Sequence, residues 1–332
     1  MTREIKKLPF LTILLSIIVL FVGCQQKVNR ITGEGLGTYY SILYIGAEDP
    51  NLKQSIDSLL DVISHHLSIF DTTSHLYLVN HQQLDTLDDD FVYILQQSLQ
   101  ISEITAGAFD PTIEPLVEYW GFGKNKQIEA YNMTIIDSLK ALVGYQKVSL
   151  DGKHLIKENP NIQLNFNAIA KGYTVDKVAE LIAAKGYPNG LVEIGGEVTA
   201  IGNKNGKPWV VGIQVPTTER DGSLNAQYLF ALQGKAIATS GNYRNYKEEN
   251  GQRYSHIIDP KSGLPEKSSL LSVSVIADNC MTADAYATAF MVMGIEKSTQ
   301  FLKKHPELAA YFIFGENGEF NSFSTENFPK KR

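Results

Sequence analysis

The chain opens on an apolar block. Leu8 to Val22 is apolar apart from Thr12 and Ser16, and Arg3, Lys6 and Lys7 form a basic head before it. A basic head followed by so short an apolar run predicts a secretory signal over residues 1–23 rather than a membrane span. Residues 24–32 are polar and read as a tether. Beyond them the pattern switches between the periods of helix and strand. Gly37 to Ile45 is rich in aromatic and branched residues and predicts a strand. Ile56, Leu59, Leu60, Ile63 and Leu67 recur at helical spacing and predict a helix over 51–70, ended by a turn at Ser68 to Ser74. A second amphipathic helix is predicted over 90–105. Residues 124–160 read as a lid or peripheral segment with a short helix near Thr134 to Val143.

Ile162 to Phe166 alternates like a strand, and Asn167 can cap a helix over 168–185 that Gly186 ends. Leu191 to Gly202 predicts a strand with a bulge at Gly195-Gly196. Residues 209–215 and 226–232 read as further strands of a meander. Tyr254 to Ile258 reads as a short strand stopped by a turn at Pro260 and Gly263. Leu271 to Val275 alternates as a strand with one buried face. A helix follows, with Thr282 as its cap and Gly294 as its stop. Residues 296–323 predict a helix and one or two strands. No repeat or low-complexity linker divides residues 33–330, which read as one functional unit.

With 332 residues and 43% hydrophobic content, the chain can bury a sizeable core. Loss of the signal removes three basic residues and one acidic residue, which takes the net charge from −6 to −8. An acidic exported protein without a basic arm or patch is a poor nucleic-acid binder. Phe21-Val22-Gly23-Cys24 resembles the lipobox of bacterial lipoproteins, with Phe21 where leucine is usual. In that motif the cysteine is acylated and becomes the new N-terminus. Acylation of Cys24 leaves Cys280 as the remaining thiol, so the mature chain holds no internal disulfide, and a thiol-based active site is disfavoured.

Asp284 and Thr288 stand four residues apart, on one face of the predicted helix. A carboxylate beside a hydroxyl suits a hard cation such as magnesium. The plain alternative is a polar helix face with Thr288 bonded back to the Asp284 carbonyl. The strand–turn–helix pattern around Asn165 and Lys171 presents free backbone amides to an anion, and Lys171 can add a charge to a phosphate. Ala106 to Thr112 and Tyr119 to Gly123 are loops of small and aromatic residues, of the kind that lines a pocket for a flat ligand. Gly195-Gly196 permits close backbone approach, yet no GxGxxG opens a helix here. His65 and His66 are helix neighbours that diverge by about 100°. They read as surface or packing residues that share no metal.

Together these blocks resemble the ApbE-type FAD:protein FMN transferases. The matching pieces are Gly37-Thr38-Tyr39-Tyr40, Ser68 to Ser74, Ala108-Phe109-Asp110-Pro111, Asn165 to Asp176, Ile194-Gly195-Gly196, Thr239-Ser240-Gly241, His256 to Pro260 and Thr282 to Thr288. They stand in family order across nearly the whole mature chain. The resemblance implies an α+β fold of mostly antiparallel sheets with flanking helices, in two lobes around an FAD cleft. It implies a magnesium enzyme that breaks the FAD pyrophosphate, leaves FMN on a threonine or serine hydroxyl of an acceptor protein and releases AMP. The family's acceptors are subunits of membrane respiratory ion pumps, and its members face the periplasm on a lipid anchor.

By the same resemblance Ala108, Phe109 and Asp110 bind FAD. Leu36 and Phe70 occupy the places of a methionine and a tyrosine that contact the flavin. Asn165 and Lys171 fall in the phosphate and ribose region. Asp284 and Thr288 hold magnesium, with Ala168 as a third ligand through its carbonyl oxygen. His256 falls at a histidine tied to the chemistry. Among the departures, Leu78 stands where arginine is common, and some relatives carry Asp and Thr where this chain has Asn165 and Ala168. The acceptor hydroxyl needs a base, and an imidazole with an unperturbed pKa of about 6.5 suits that task. Asp259 and Asp284 are the other candidates. Two further readings fit the same residues. One is FAD hydrolysis to FMN and AMP, with water in place of the hydroxyl. The other is a non-catalytic flavin-binding lipoprotein.

Overall fold

A computed structural model of the chain describes residues 27–124, 132–214, 226–242, 246–249, 252–266, 269–316 and 319–332. The predicted signal segment and Cys24 lie outside the described residues. Eight strands pair antiparallel in one sheet: β1 (Val28–Gly35), β2 (Thr38–Ile45), β5 (Gly190–Ile194), β6 (Glu197–Ile201), β9 (Ala236–Gly241), β12 (Leu270–Ala277), β13 (Ala309–Glu316) and β14 (Glu319–Ser324), in that spatial order. Three hairpins stand apart from it: β3 (Val148–Asp151) with β4 (His154–Lys157), β7 (Trp209–Gln214) with β8 (Ala226–Leu232), and β10 (Tyr246–Glu249) with β11 (Gln252–Ser255).

Alternation along the strands assigns the two faces of the sheet. Ile42, Val192, Ala236, Ala238, Val273 and Phe312 point into the larger core. Helices α1 (Leu52–Leu67), α3 (Asp89–Ile104), α6 (Ala170–Ala184) and α7 (Cys280–Leu302) contribute to that core. Ile237, Ile276 and Ile313 point the other way, where Trp209 and Phe230 of the β7–β8 hairpin cover them. Each fully buried aromatic or branched side chain contributes on the order of 1.5–3 kcal/mol by leaving water. A smaller core of Leu116, Tyr119, Trp120, Ile136, Val143 and Ile258 forms a second lobe. Helices α4 (Glu114–Tyr119) and α5 (Met133–Lys140) belong to it, while α2 (His75–Asn80) lies beside α1.

Several elements differ from the sequence pattern, each for a local reason. Residues 28–32 are not tether but the start of β1. They pair residue by residue with Ile45 to Ser41, and buried Asn29 donates to the Gly46 carbonyl. Polar residues are acceptable there because β1 is an edge strand. Ile162 to Phe166 has the predicted alternation, with Ile162, Leu164 and Phe166 buried, but joins no sheet. The Asn80 side chain satisfies both the Leu164 N–H and the Leu164 carbonyl, in place of a neighbouring strand. Gly195 and Gly196, at φ 65° and 107°, form the two-residue turn of the β5–β6 hairpin rather than a bulge. Asn279, not Thr282, caps α7, and accepts the Thr282 N–H at 2.8 Å. Gly294 breaks the helical backbone at φ 73°, and a second helical segment then continues to Leu302.

Asn167 does not cap α6. The first turns of α6 and α7 instead close each other. Asp284 of α7 accepts the Gly172 N–H of α6 at 2.9 Å. Asp176 of α6 accepts the Cys280 and Met281 N–H groups of α7, both at 2.8 Å. Asp176 stands six residues beyond the start of α6 and Asp284 four beyond the start of α7, and each satisfies the other helix's orphan amides. The helices must touch for this to work. A Cβ on Gly172 would sit 2.3 Å from the Cys280 carbonyl oxygen and 2.8 Å from Asp284 Cβ.

Gly172→Ala is therefore expected to lower stability by roughly 1–3 kcal/mol, read as an earlier midpoint in urea unfolding. A second expectation concerns Glu114, which receives the side-chain amide of Asn165 in the interior. Burial pushes its pKa up to about 7 against the opposing pull of that hydrogen bond, and Glu118 pushes the same way. The folded state thus keeps a proton that the unfolded chain releases near the ordinary value of 4.5, so Glu114 costs stability as pH rises from there to about 7. Glu114→Gln should flatten that part of the stability–pH curve. An unchanged slope would show that Glu114 is not its source.

Candidate active site

The start of α6 and the face of α7 that carries Asp284 and Thr288 open on one cleft of about 1110 Å³. That is just above the usual range for small-molecule sites, about 300–1,000 Å³. The cleft lies between the lobes. Ile113, Val117, Phe122 and His256 line one side, and Thr38, Lys171, Glu197, Thr239, Asp284 and Thr288 line the other. Gly195 and Gly196 bring backbone to its wall without side chains.

Lys171 occupies the first turn of α6, so its ammonium rises beside the helix's N-terminal amides. It is paired with Glu197, the first residue of β6. Asp284 is 4% exposed and Glu197 1%. Burial works against the Lys171 charge, but Asp284 and Glu197 outweigh it and hold its pKa above the ordinary lysine value. Burial raises both carboxyl groups, while Lys171 pulls each back down. Two buried carboxylates therefore face one ammonium. Glu197 Oε2 is buried and, among the described residues, has no hydrogen-bond partner. An acceptor in that position costs about 1–3 kcal/mol unless something satisfies it. Two carboxyl groups against one ammonium, with one oxygen orphaned, are a donor set that can take a cation. Asp284, Thr288 and Ala168, which all line the cleft, could offer oxygen donors of the kind that magnesium takes.

Ala108, Phe109, Asp110, Asn165, Ala168, Lys171, His256, Asp284 and Thr288 all line the cleft, so the fold gathers residues spread over 180 positions of sequence. Two of them are turned inward. Asp110 accepts from the Thr112 N–H and hydroxyl through Oδ1 and from the Tyr145 N–H, at 2.8 Å, through Oδ2. It braces the 108–112 loop. Asn165 donates to Glu114 and accepts the Asn167 N–H at 2.8 Å, which shapes the turn that carries Ala168. His256 follows β11, with its ring 6.3 Å from that of Phe122. Asp259 closes the next turn through the Lys261 and Ser262 N–H groups and is not among the lining residues.

Leu36 and Phe70 also stand outside the lining. Leu36 sits in the β1–β2 turn at φ 53°, and Phe70 is 50% exposed on the loop before α2. Sequence reasoning passed over Glu197, Glu114 and Asp176. For Glu197 a signal was present: a charged residue opens an apolar strand directly after a glycine pair. Asp176 gave no signal, because the helix amides that it caps, those of Cys280 and Met281, lie more than a hundred positions away.

Comparison with known proteins agrees with this geometry. A protein from Haemophilus influenzae named FAD:protein FMN transferase is 34% identical, over 98% of this chain and 98% of that protein. The crystal structure of the flavinyl transferase ApbE of Pseudomonas stutzeri in its apo form superposes with a TM-score of 0.82 at 35% identity, covering 92% of this chain and 96% of that one. The flavin transferase ApbE from Vibrio cholerae gives 0.81 at 31% identity, over 91% and 98%. The ApbE family model matches residues 36–312, a span that holds both capped helices and every residue lining the cleft. The chain belongs to the ApbE family.

Proposed function

We propose that the cleft binds FAD and transfers its FMN half, with magnesium, to a threonine or serine hydroxyl of an acceptor protein. The observation that carries this reading is the buried Asp284–Lys171–Glu197 cluster. It sets two carboxyl groups against one ammonium, leaves one carboxyl oxygen unsatisfied and sits at a helix N-terminus on the wall of a cleft large enough for a dinucleotide. That combination suits a pyrophosphate bound together with a hard cation. The family and the names of its relatives support the same reaction.

In this reaction the acceptor oxygen forms a bond to the FMN-side phosphorus. The bond from that phosphorus to the bridging pyrophosphate oxygen breaks, and AMP leaves. Asp284, Thr288 and the Ala168 carbonyl would hold magnesium, which would supply Lewis-acid stabilisation of the charge on the phosphate oxygens. Lys171 carries a fixed positive charge beside the same position and is kept protonated by its two carboxylates. Glu197 holds that ammonium in place. The acceptor hydroxyl is a weak nucleophile, and its proton passes to a base. His256 lines the cleft and is our assignment for that base. Phe109 and Phe122 give the cleft an apolar wall for a flat ring system.

The acceptor in this reading is a subunit of a membrane respiratory ion pump. The enzyme faces the periplasm, held to the membrane through acylated Cys24. Its sequence context is the basis for the anchor.

Intact-protein mass spectrometry of an acceptor fragment, incubated with the protein, FAD and magnesium, tests the transfer. An FMN mass on the fragment that requires magnesium is expected. AMP with free FMN and no adduct on any acceptor would replace transfer by hydrolysis, and bound FAD without turnover would leave a flavin carrier. Asp284→Ala should reduce magnesium-dependent turnover by at least about 10²-fold, the scale for loss of one main electrostatic group. Full activity in that variant would remove Asp284 from the metal site. For the anchor, Cys24→Ser should move the protein from the membrane to the soluble fraction. Unchanged membrane retention would overturn acylation at that residue.

A further inference from the structure

Away from the cleft, one corner of the helical layer gathers imidazoles and carboxylates. His65 and His66 lie in the last turn of α1, His75 opens α2 and Asp88 is the N-cap of α3. Asp88 divides its two oxygens. Oδ1 accepts the Phe91 N–H at 2.8 Å, which is the helix cap. Oδ2 faces two imidazoles, with His75 Nδ1 at 2.8 Å and His66 Nδ1 at 3.5 Å. The two rings stack 4.6 Å apart with 13° between their planes. His66 Nδ1 is buried and makes no hydrogen bond among the described residues. One ligand atom from each of His66, His75 and Asp88 lies within 4.8 Å of the other two.

We propose that His66, His75 and Asp88 form a second metal site, for a borderline divalent transition ion such as zinc. Two imidazole nitrogens and one carboxylate oxygen are a donor set for zinc and its neighbours, whereas magnesium takes oxygen ligands alone. A hydrogen-bonding role accounts for only half of the arrangement. His75 bonds Asp88, but the buried His66 nitrogen faces the same oxygen without bonding it. Tetrahedral bonds of about 2.0–2.2 Å place donor atoms about 3.3–3.6 Å apart, and the three ligand atoms here lie within 4.8 Å of one another. All three residues are half-buried, so water can complete the coordination.

His65 is excluded from the set. Its ring meets His75 edge-on at 5.5 Å, and its Nδ1 lies 3.6 Å from Asp71. None of the three ligands lines the cleft, so the site is independent of the flavin chemistry. An ion here ties the end of α1 to the starts of α2 and α3. It thereby braces the 68–74 loop that carries Phe70.

The test is equilibrium dialysis of the whole chain against zinc, with excess magnesium present to occupy sites of oxygen donors. Cobalt serves as a parallel probe, because its visible absorption reports the ligand field. Wild type should take up one zinc. His66→Gln, His75→Gln and Asp88→Asn should each weaken it by about tenfold or more, the scale for damage to a metal site. Asp88→Asn retains a good helix-capping residue, which keeps the result readable if a histidine variant folds poorly. His65→Gln should bind as wild type does. The proposal is overturned if wild type binds no zinc under these conditions, if Asp88→Asn and a folded histidine variant bind it unchanged, or if His65→Gln loses as much as His75→Gln.

Discussion

Two helix ends that cannot satisfy their own amides are closed by carboxylates exchanged between them. Asp176 reaches from α6 to the first two N–H groups of α7, and Asp284 reaches from α7 to Gly172 of α6. The exchange fixes the distance between the helices, because no side chain larger than hydrogen fits at Gly172. It also fixes their register. Once Asp284 is held there, Lys171 is committed to one side of it, and Thr288 faces the cleft one helical turn further on. The sheet beneath them contributes Glu197 from the hairpin turn at Gly195-Gly196. A structural constraint and a chemical site are thus built from the same residues.

That overlap has an energetic consequence. A buried carboxylate is costly unless it is paired and hydrogen-bonded. Asp176 meets the condition with three donors, the Cys280 and Met281 amides and the Thr199 hydroxyl. The pair Asp284 and Glu197 does not, since one ammonium serves both and Glu197 Oε2 has no donor among the described residues. A fold optimised for stability alone would neutralise this cluster. The proposed cation and pyrophosphate are the groups that would complete it. Asp110 and Asn165 show the opposite case. Their polar atoms are spent on the protein's own backbone and on Glu114, so they shape the walls of the cleft.

The histidine corner shows how far a sound local argument reaches. Neighbouring residues on a helix do diverge, and the rings of His65 and His66 stand 6.4 Å apart. The partner of His66 is His75, brought to it by the turn between α1 and α2. Helical spacing within one element carries no information about what a later element delivers to it. Ile162 to Phe166 teaches a related lesson. Alternation correctly assigned its buried face, but whether a strand paired there depended on Asn80, far away in sequence.

By itself the sequence determined what depends on local periodicity and on turn chemistry. The helices over 52–67 and 89–104, the strands β2 and β12 and the break at Gly294 follow from apolar spacing and from glycine's freedom at positive φ. The ordered motifs also identified the family, and with it the cleft-lining set from Ala108 to Thr288. Only the tertiary structure decided which residues close the helix ends, because orphan amides accept any carboxylate that packing brings near. It alone placed Glu197 beside Lys171, turned Asp110 and Asn165 inward and left Leu36 and Phe70 outside the cleft lining. These are contacts between residues distant in sequence, and their geometry is set by how the helices and the sheet pack.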